Sequence, residues 1–122
     1  MKVIINVTKS FKKEAKPLLK KFKSLSSDLL NLHKQLEQNP RLGTALGANA
    51  YKIRLKINSK TKGKSGGARA ISLIEAELIG TVQLMEETTI VNLIYIFDKS
   101  DTDNIPDKQL KDLIKQFKKD TE

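Results

Sequence analysis

The chain reads as an α+β domain: an N-terminal strand and a helical hairpin pack on one face of a mostly antiparallel four-stranded sheet, and a helix closes the C-terminus. Three observations predict this. Apolar residues recur at helical spacing in two neighbouring stretches between Thr8 and Asn39, the period switches to two at Tyr51, and a last helical stripe follows Pro106. With 122 residues the chain suits a single domain, 1–122, long enough to bury a modest core without metal or disulfide.

Val3–Val7 is a short β-branched run and reads as the first strand. From Thr8 to Phe22 the residues Phe11, Ala15, Leu18, Leu19 and Phe22 share one side of a helix, with lysines on the rest of its surface. Pro17 is expected to kink that helix or delay its start. Ser26 or Ser27 caps a second helix, with Asp28 in its first turn and Leu25, Leu29, Leu32 and Leu36 as its stripe. Asn39-Pro40 ends it, and the short connection makes the two helices an antiparallel hairpin. A loop punctuated by Gly43 and Gly47 follows. Tyr51, Ile53, Leu55 and Ile57 then alternate with Lys52, Arg54, Lys56 and Asn58, a strand with one apolar and one basic face. Ser59–Gly67 reads as a flexible basic turn, Ala68 to Leu78 or Ile79 as a third strand, Gly80–Glu87 as a link and Thr89–Phe97 as a fourth strand. Asn104, Pro106 and Asp107 start the closing helix, whose stripe is Leu110, Leu113, Ile114 and Phe117. With the hairpin on one sheet face, the basic side chains of the second strand are expected on the other, open to solvent.

Charge is unevenly distributed. Between Glu37 and Glu75 there is no acidic residue, but there are eight basic ones: Arg41, Lys52, Arg54, Lys56, Lys60, Lys62, Lys64 and Arg69. The chain carries +9 overall, so the rest is near neutral, 15 basic residues against 14 acidic. A field so concentrated suits a polyanion, because each neutralised phosphate releases counterions. The absence of cysteine excludes a disulfide scaffold and thiolate chemistry. The N-terminus has no signal-peptide pattern and no run approaches a membrane helix, so a cytoplasmic location is expected. Gly63-Lys64-Ser65 is not a P-loop, since Asn58 stands where that motif needs glycine and a strand follows in place of a helix. His33 lies beside a leucine stripe, far from the basic segment. Lys12, Lys13, Lys20, Lys21 and Lys23 read as solvated helix positions, and Glu75, Glu77, Glu86 and Glu87 lack metal-ligand spacing.

Tyr51–Ile71, YKIRLKINSKTKGKSGGARAI, followed by the strand ending IFDKSD at Ile96–Asp101 and a short final helix, resembles the RelE/ParE superfamily of bacterial toxins, in its HigB-like RelE branch. EQNPRLGTALGANAYKIRL, Glu37–Leu55, fits the same pattern. The resemblance implies a RelE-like fold and the toxin of a type II toxin–antitoxin pair, an mRNA endonuclease acting on the ribosome without metal or other cofactor. Its implied partners are mRNA on the ribosome and a small antitoxin, often with a helix-turn-helix. Residue by residue it implies catalytic roles for Arg54, Lys64, Arg69 and Lys99; the basic strand face and the basic turn make Lys52, Lys56, Lys60 and Lys62 the expected RNA-binding residues. One position departs: related sequences often read IYDKS, whereas Phe97 here has no hydroxyl, and Tyr95 lies two residues earlier.

Metal-free RNA cleavage attacks the phosphate with the neighbouring 2′-hydroxyl. It requires a base for that hydroxyl, cations for the phosphorane and an acid for the 5′-oxygen. Arg54 and Arg69 are the expected charge stabilisers, because a guanidinium matches phosphate with two donors. A lysine crowded by other cations gives up its proton more readily, which makes Lys64 and Lys99 the candidate acid and base, in either order. Two alternatives remain: a ParE-like toxin that poisons gyrase, and a catalytically inactive RNA- or antitoxin-binding homologue.

Overall fold

A computed structural model of the chain describes residues 2–59, 67–79, 86–99 and 104–121. Its elements run β1 (Lys2–Val7), α1 (Lys9–Lys21), α2 (Leu25–Gln38), β2 (Thr44–Gly47), β3 (Ala50–Leu55), β4 (Ala68–Ile79), β5 (Glu86–Asp98) and α3 (Asp107–Thr121). They form an α+β fold around a five-stranded mixed sheet in the order β1-β5-β4-β3-β2. β1 is parallel to β5 and the other three pairings are antiparallel.

The expected four-stranded sheet therefore gains a strand. β2 comes from the supposed glycine loop; its sequence TALG has no alternating pattern and is too short for periodicity to register. It pairs back on β3 through Thr44↔Lys52, Ala45↔Tyr51 and Gly47↔Ala50. Ala48 and Asn49, the two residues of the connection, both take positive φ (52° and 63°), as a tight hairpin matching strand twist requires. β3 is shorter than its alternation suggested, since Lys56–Asn58 continue beyond the strand. β5 begins earlier, taking Glu86 and Glu87 from the predicted link, and the remainder of that link lies outside the described residues.

Thr8 starts α1. Its hydroxyl accepts from the Phe11 amide at 3.3 Å and donates to the Leu93 carbonyl at 2.8 Å, while Ser10 Oγ donates to the Ile94 carbonyl at 2.6 Å. The helix is thereby pinned to β5 at its first turn. Pro17 neither delays nor interrupts it, and sits on the exposed side. Leu19, expected in the stripe, is 42% exposed. The cap of α2 is Ser24 instead of Ser26 or Ser27.

α1 and α2 cover one sheet face. Phe11, Ala15, Leu25, Leu32 and Leu36 pack there with Ile53, Leu55, Ala70, Ile74, Val91, Leu93 and Ile96. α3 covers part of the opposite face, where Leu110 and Ile114 pack with Ala50, Ile71, Leu73, Ile94 and Phe97. The expectation of one helical face and one open basic face is thus corrected. A helical stripe states that a helix must bury a side, not which surface receives it. The cue lay in β4 and β5, whose near-continuous apolar runs suit strands covered on both faces. No described helix is long and apolar enough to cross a membrane.

Candidate nucleic-acid interface

Strand register brings the basic residues together. Arg54 on β3 lies opposite Arg69 on β4, which lies opposite Phe97 on β5. Directly opposed residues point to the same face, so the three form one row on the α3 side of the sheet. Lys52, Ile71 and Tyr95 form the next row. Lys99 follows Phe97 by two residues, and its backbone N–H donates to the Gly67 carbonyl at 3.2 Å. Arg54, Arg69 and Lys99, predicted to share a site, therefore lie on neighbouring strands and the turn after them at one end of the sheet, with Lys52 and Lys56 next along the chain from Arg54. Lys60, Lys62 and Lys64 lie outside the described residues.

Burial separates these cations. Arg54 and Lys56 are exposed and Lys52 and Lys99 half-buried, whereas Arg69 is only 3% exposed. The expectation of an open basic face therefore fails at Arg69. It occupies the middle strand, flanked by β3 and β5 on a face that α3 also covers. A buried guanidinium needs hydrogen-bond acceptors, and the Ala68 carbonyl accepts from its Nη1 at 3.1 Å. Lys52 Nζ donates to Asn104 Oδ1 at 2.5 Å, tying β3 to the segment that leads into α3. Arg54 makes no hydrogen bond or ion pair to a described residue, so its donors stay available to a ligand.

Gly67 sets the entry of β4 at this corner. Its φ is +95°, and a Cβ there would lie 1.8 Å from the Leu55 carbonyl oxygen. Only glycine allows so close a backbone approach in that conformation. The Gly67 carbonyl in turn accepts from the Lys99 amide, which ties the end of β5 to the entry of β4 beside Arg69.

Several residues that sequence reasoning did not assign to the site frame it. Asp28, expected as an N-terminal charge on α2, is 2% exposed. Its Oδ2 accepts from Ser24 Oγ at 2.7 Å and from the Asn58 amide at 3.2 Å, and its Oδ1 accepts from Asn58 Nδ2 at 2.7 Å. Ser24 and Ser59 add reciprocal bonds: the Ser59 amide donates to Ser24 Oγ at 2.8 Å and the Ser24 amide to Ser59 Oγ at 3.2 Å. The start of α2 is thus fastened to the exit of β3. Lys21, read as solvated, reaches Asp98 at 3.4 Å and stands 5.2 Å from the Phe22 ring centroid. Asp98 is 2% exposed and faces the hairpin side, opposite to Phe97. Its place in the IFDKSD motif was the signal that could have found it.

Phe97 is 9% exposed within the α3 cluster, its ring 6.1 Å from that of Tyr95. The Tyr95 hydroxyl accepts from Gln109 Nε2 of α3 at 3.1 Å, so it is engaged away from the basic row. His33 is exposed and lies 3.7 Å from Glu37, in keeping with a surface role. Among the described residues no group of three or more His, Asp or Glu side chains is placed to hold a metal. The chain matches no family model, no curated protein and no solved structure.

Proposed function

We propose that this chain is a RelE-like toxin of a type II toxin–antitoxin pair, a cytoplasmic endoribonuclease that cuts mRNA on the ribosome and is restrained by a small antitoxin. The observation that carries the reading is the cross-strand row Arg54–Arg69–Phe97 with Lys99 beyond it: two guanidinium groups and an ammonium at one sheet corner, within a segment free of acidic residues from Gln38 to Ile74.

In this reading the scissile phosphate lies at Arg54. The exposed guanidinium gives two parallel donors to its non-bridging oxygens. Arg69, held by its backbone contact, adds fixed positive charge behind it; being already oriented, it loses little freedom when the phosphorane forms. Lys99 and Lys64 carry the proton steps, one taking the proton of the 2′-hydroxyl and the other supplying one to the departing 5′-oxygen. The oxygen–phosphorus bond to the 5′-leaving group breaks as the 2′-oxygen bond forms. A ribosome that orients the message lowers the entropic part of the barrier outside the protein, so a modest intrinsic nuclease suffices for a toxin.

Phe97 favours a second reading. A buried apolar ring stands where related sequences often carry a hydroxyl, as suits an inactive homologue that still binds RNA or antitoxin.

The test is induced expression in bacteria, wild type beside Arg54→Ala, with mRNA 5′ ends mapped within minutes. Growth arrest with new ends inside translated codons, absent in the variant, is the expected result. Arrest without new ends redirects the reading to gyrase, and absence of arrest with folded protein selects the inactive homologue.

A further inference from the structure

We propose that the groove between α2 and the outer edge of β3 is a nucleobase subsite, taking a base of the RNA strand that flanks the phosphate at Arg54. The inference rests on the RNA-cleaving reading above and adds to it the place where the strand is selected.

The groove exists because β2 leaves β3 early. The two strands pair only from Ala50 to Lys52 along β3. Just before β2, Gly43 takes φ +107° and lies so close to β3 that a Cβ would sit 2.4 Å from the Lys52 carbonyl oxygen. Beyond this point, Ile53–Leu55 has no strand partner on its outer side among the described residues. Two cavities, of about 260 and 240 Å³, open along that edge, and both are lined by Gln35 of α2 and Arg54 of β3. The first is completed by Leu42 and Thr44, the second by Asn31, Leu55 and Asn58. Arg54 thus borders both.

The lining has the chemistry of base reading. Asn31 and Gln35 are four residues apart on α2 and so share one helix face. Both are exposed, and neither side chain is hydrogen-bonded to a described residue. Each amide offers an acceptor and two donors, the groups that recognise the edges of unstacked bases in single-stranded RNA. Leu42, half-buried, supplies apolar surface beside them. Arg54, which lines both cavities, and Lys56, which lines the second, are placed to meet the flanking phosphates, while Lys52 is engaged by Asn104. The one acid lining the groove, Asp28, is buried and accepts three hydrogen bonds from Ser24 and Asn58, so it is engaged within the fold.

The experiment compares wild type, Asn31→Ala and Gln35→Ala, each as the purified full chain, for cleavage of mRNA on translating ribosomes, with the base beside every cut recorded and folding checked by thermal melting. The expected result is a base preference at one position beside the cut in wild type, reduced about tenfold in at least one variant. Cutting with unaltered preference in both variants, or a wild type that cuts without preference, overturns the subsite and leaves the nuclease reading standing. Folded variants that cut nowhere also overturn it, because selecting a base is separate from breaking the bond. A wild type that does not cut removes the nuclease reading and the subsite with it.

Discussion

On the hairpin side of the sheet, the row Ile53–Ala70–Ile96 is buried to 1% exposure or less. One residue along the same three strands, the row Arg54–Arg69–Phe97 faces α3 and passes from an exposed cation through a buried one to a buried ring. The pleat alone separates them: successive side chains point to opposite faces, so one set of strands builds core and candidate site at once. Core residues hold the site residues in place without touching a ligand, and a site cation can be exchanged at little cost in folding where it is exposed. Arg69 breaks that simple division, because it is a site residue with a core residue's burial.

The largest effect is expected in the apolar row. Ile53→Ala removes buried methyl groups and leaves a cavity, with an expected loss of about 3 kcal/mol; chemical denaturation measures it, and a loss near zero would show that this face is not the packed one. Gly67→Ala forces a Cβ into the Leu55 carbonyl at positive φ, with an expected cost of about 2–3 kcal/mol. A melting temperature equal to wild type would contradict the close approach. Asp28→Ala leaves Asn58 and Ser24 without their buried acceptor, an expected cost of about 2 kcal/mol, read by the same denaturation curves. Arg69→Ala is expected to lower stability by about 1 kcal/mol as well as abolishing cleavage. That mixed effect makes it a poorer catalytic probe than its neighbour. Arg54→Ala should leave the denaturation midpoint unchanged and reduce cleavage about a hundredfold, while flattening the salt dependence of RNA binding by about one phosphate contact. Retained cleavage with an unchanged salt slope would remove Arg54 from the phosphate site.

Much of this arrangement was legible in the chain. The strand at Tyr51 was readable because an apolar face forces a period of two, and the helix after Pro106 because its stripe and start signal agree. The union of Arg54 and Arg69 was suggested by motif and charge, but their direct opposition required the register of β3 on β4. β2 was not legible: four residues without alternation carry no periodic signal, and their pairing depends on the Ala48-Asn49 turn. Neither was the parallel placement of β1 beside β5, since periodicity describes a strand's faces and says nothing of its neighbours. Lys21 looked like any solvated helix lysine until α1 was laid across the end of β5, where Asp98 meets it.

Composition and local pattern by themselves determined the α+β class, most of the elements, the basic character of one strand face and the acid-free stretch that concentrates charge. These depend on residue type and spacing along the chain, where the physics is local. The tertiary structure alone decided which face α3 covers, that Arg69 is buried while Arg54 is free, that Asp28 clasps Asn58, and that a groove opens where β2 turns away. Each of those depends on contacts between residues far apart in sequence, and burial is a property of the neighbours a side chain acquires, not of the side chain itself.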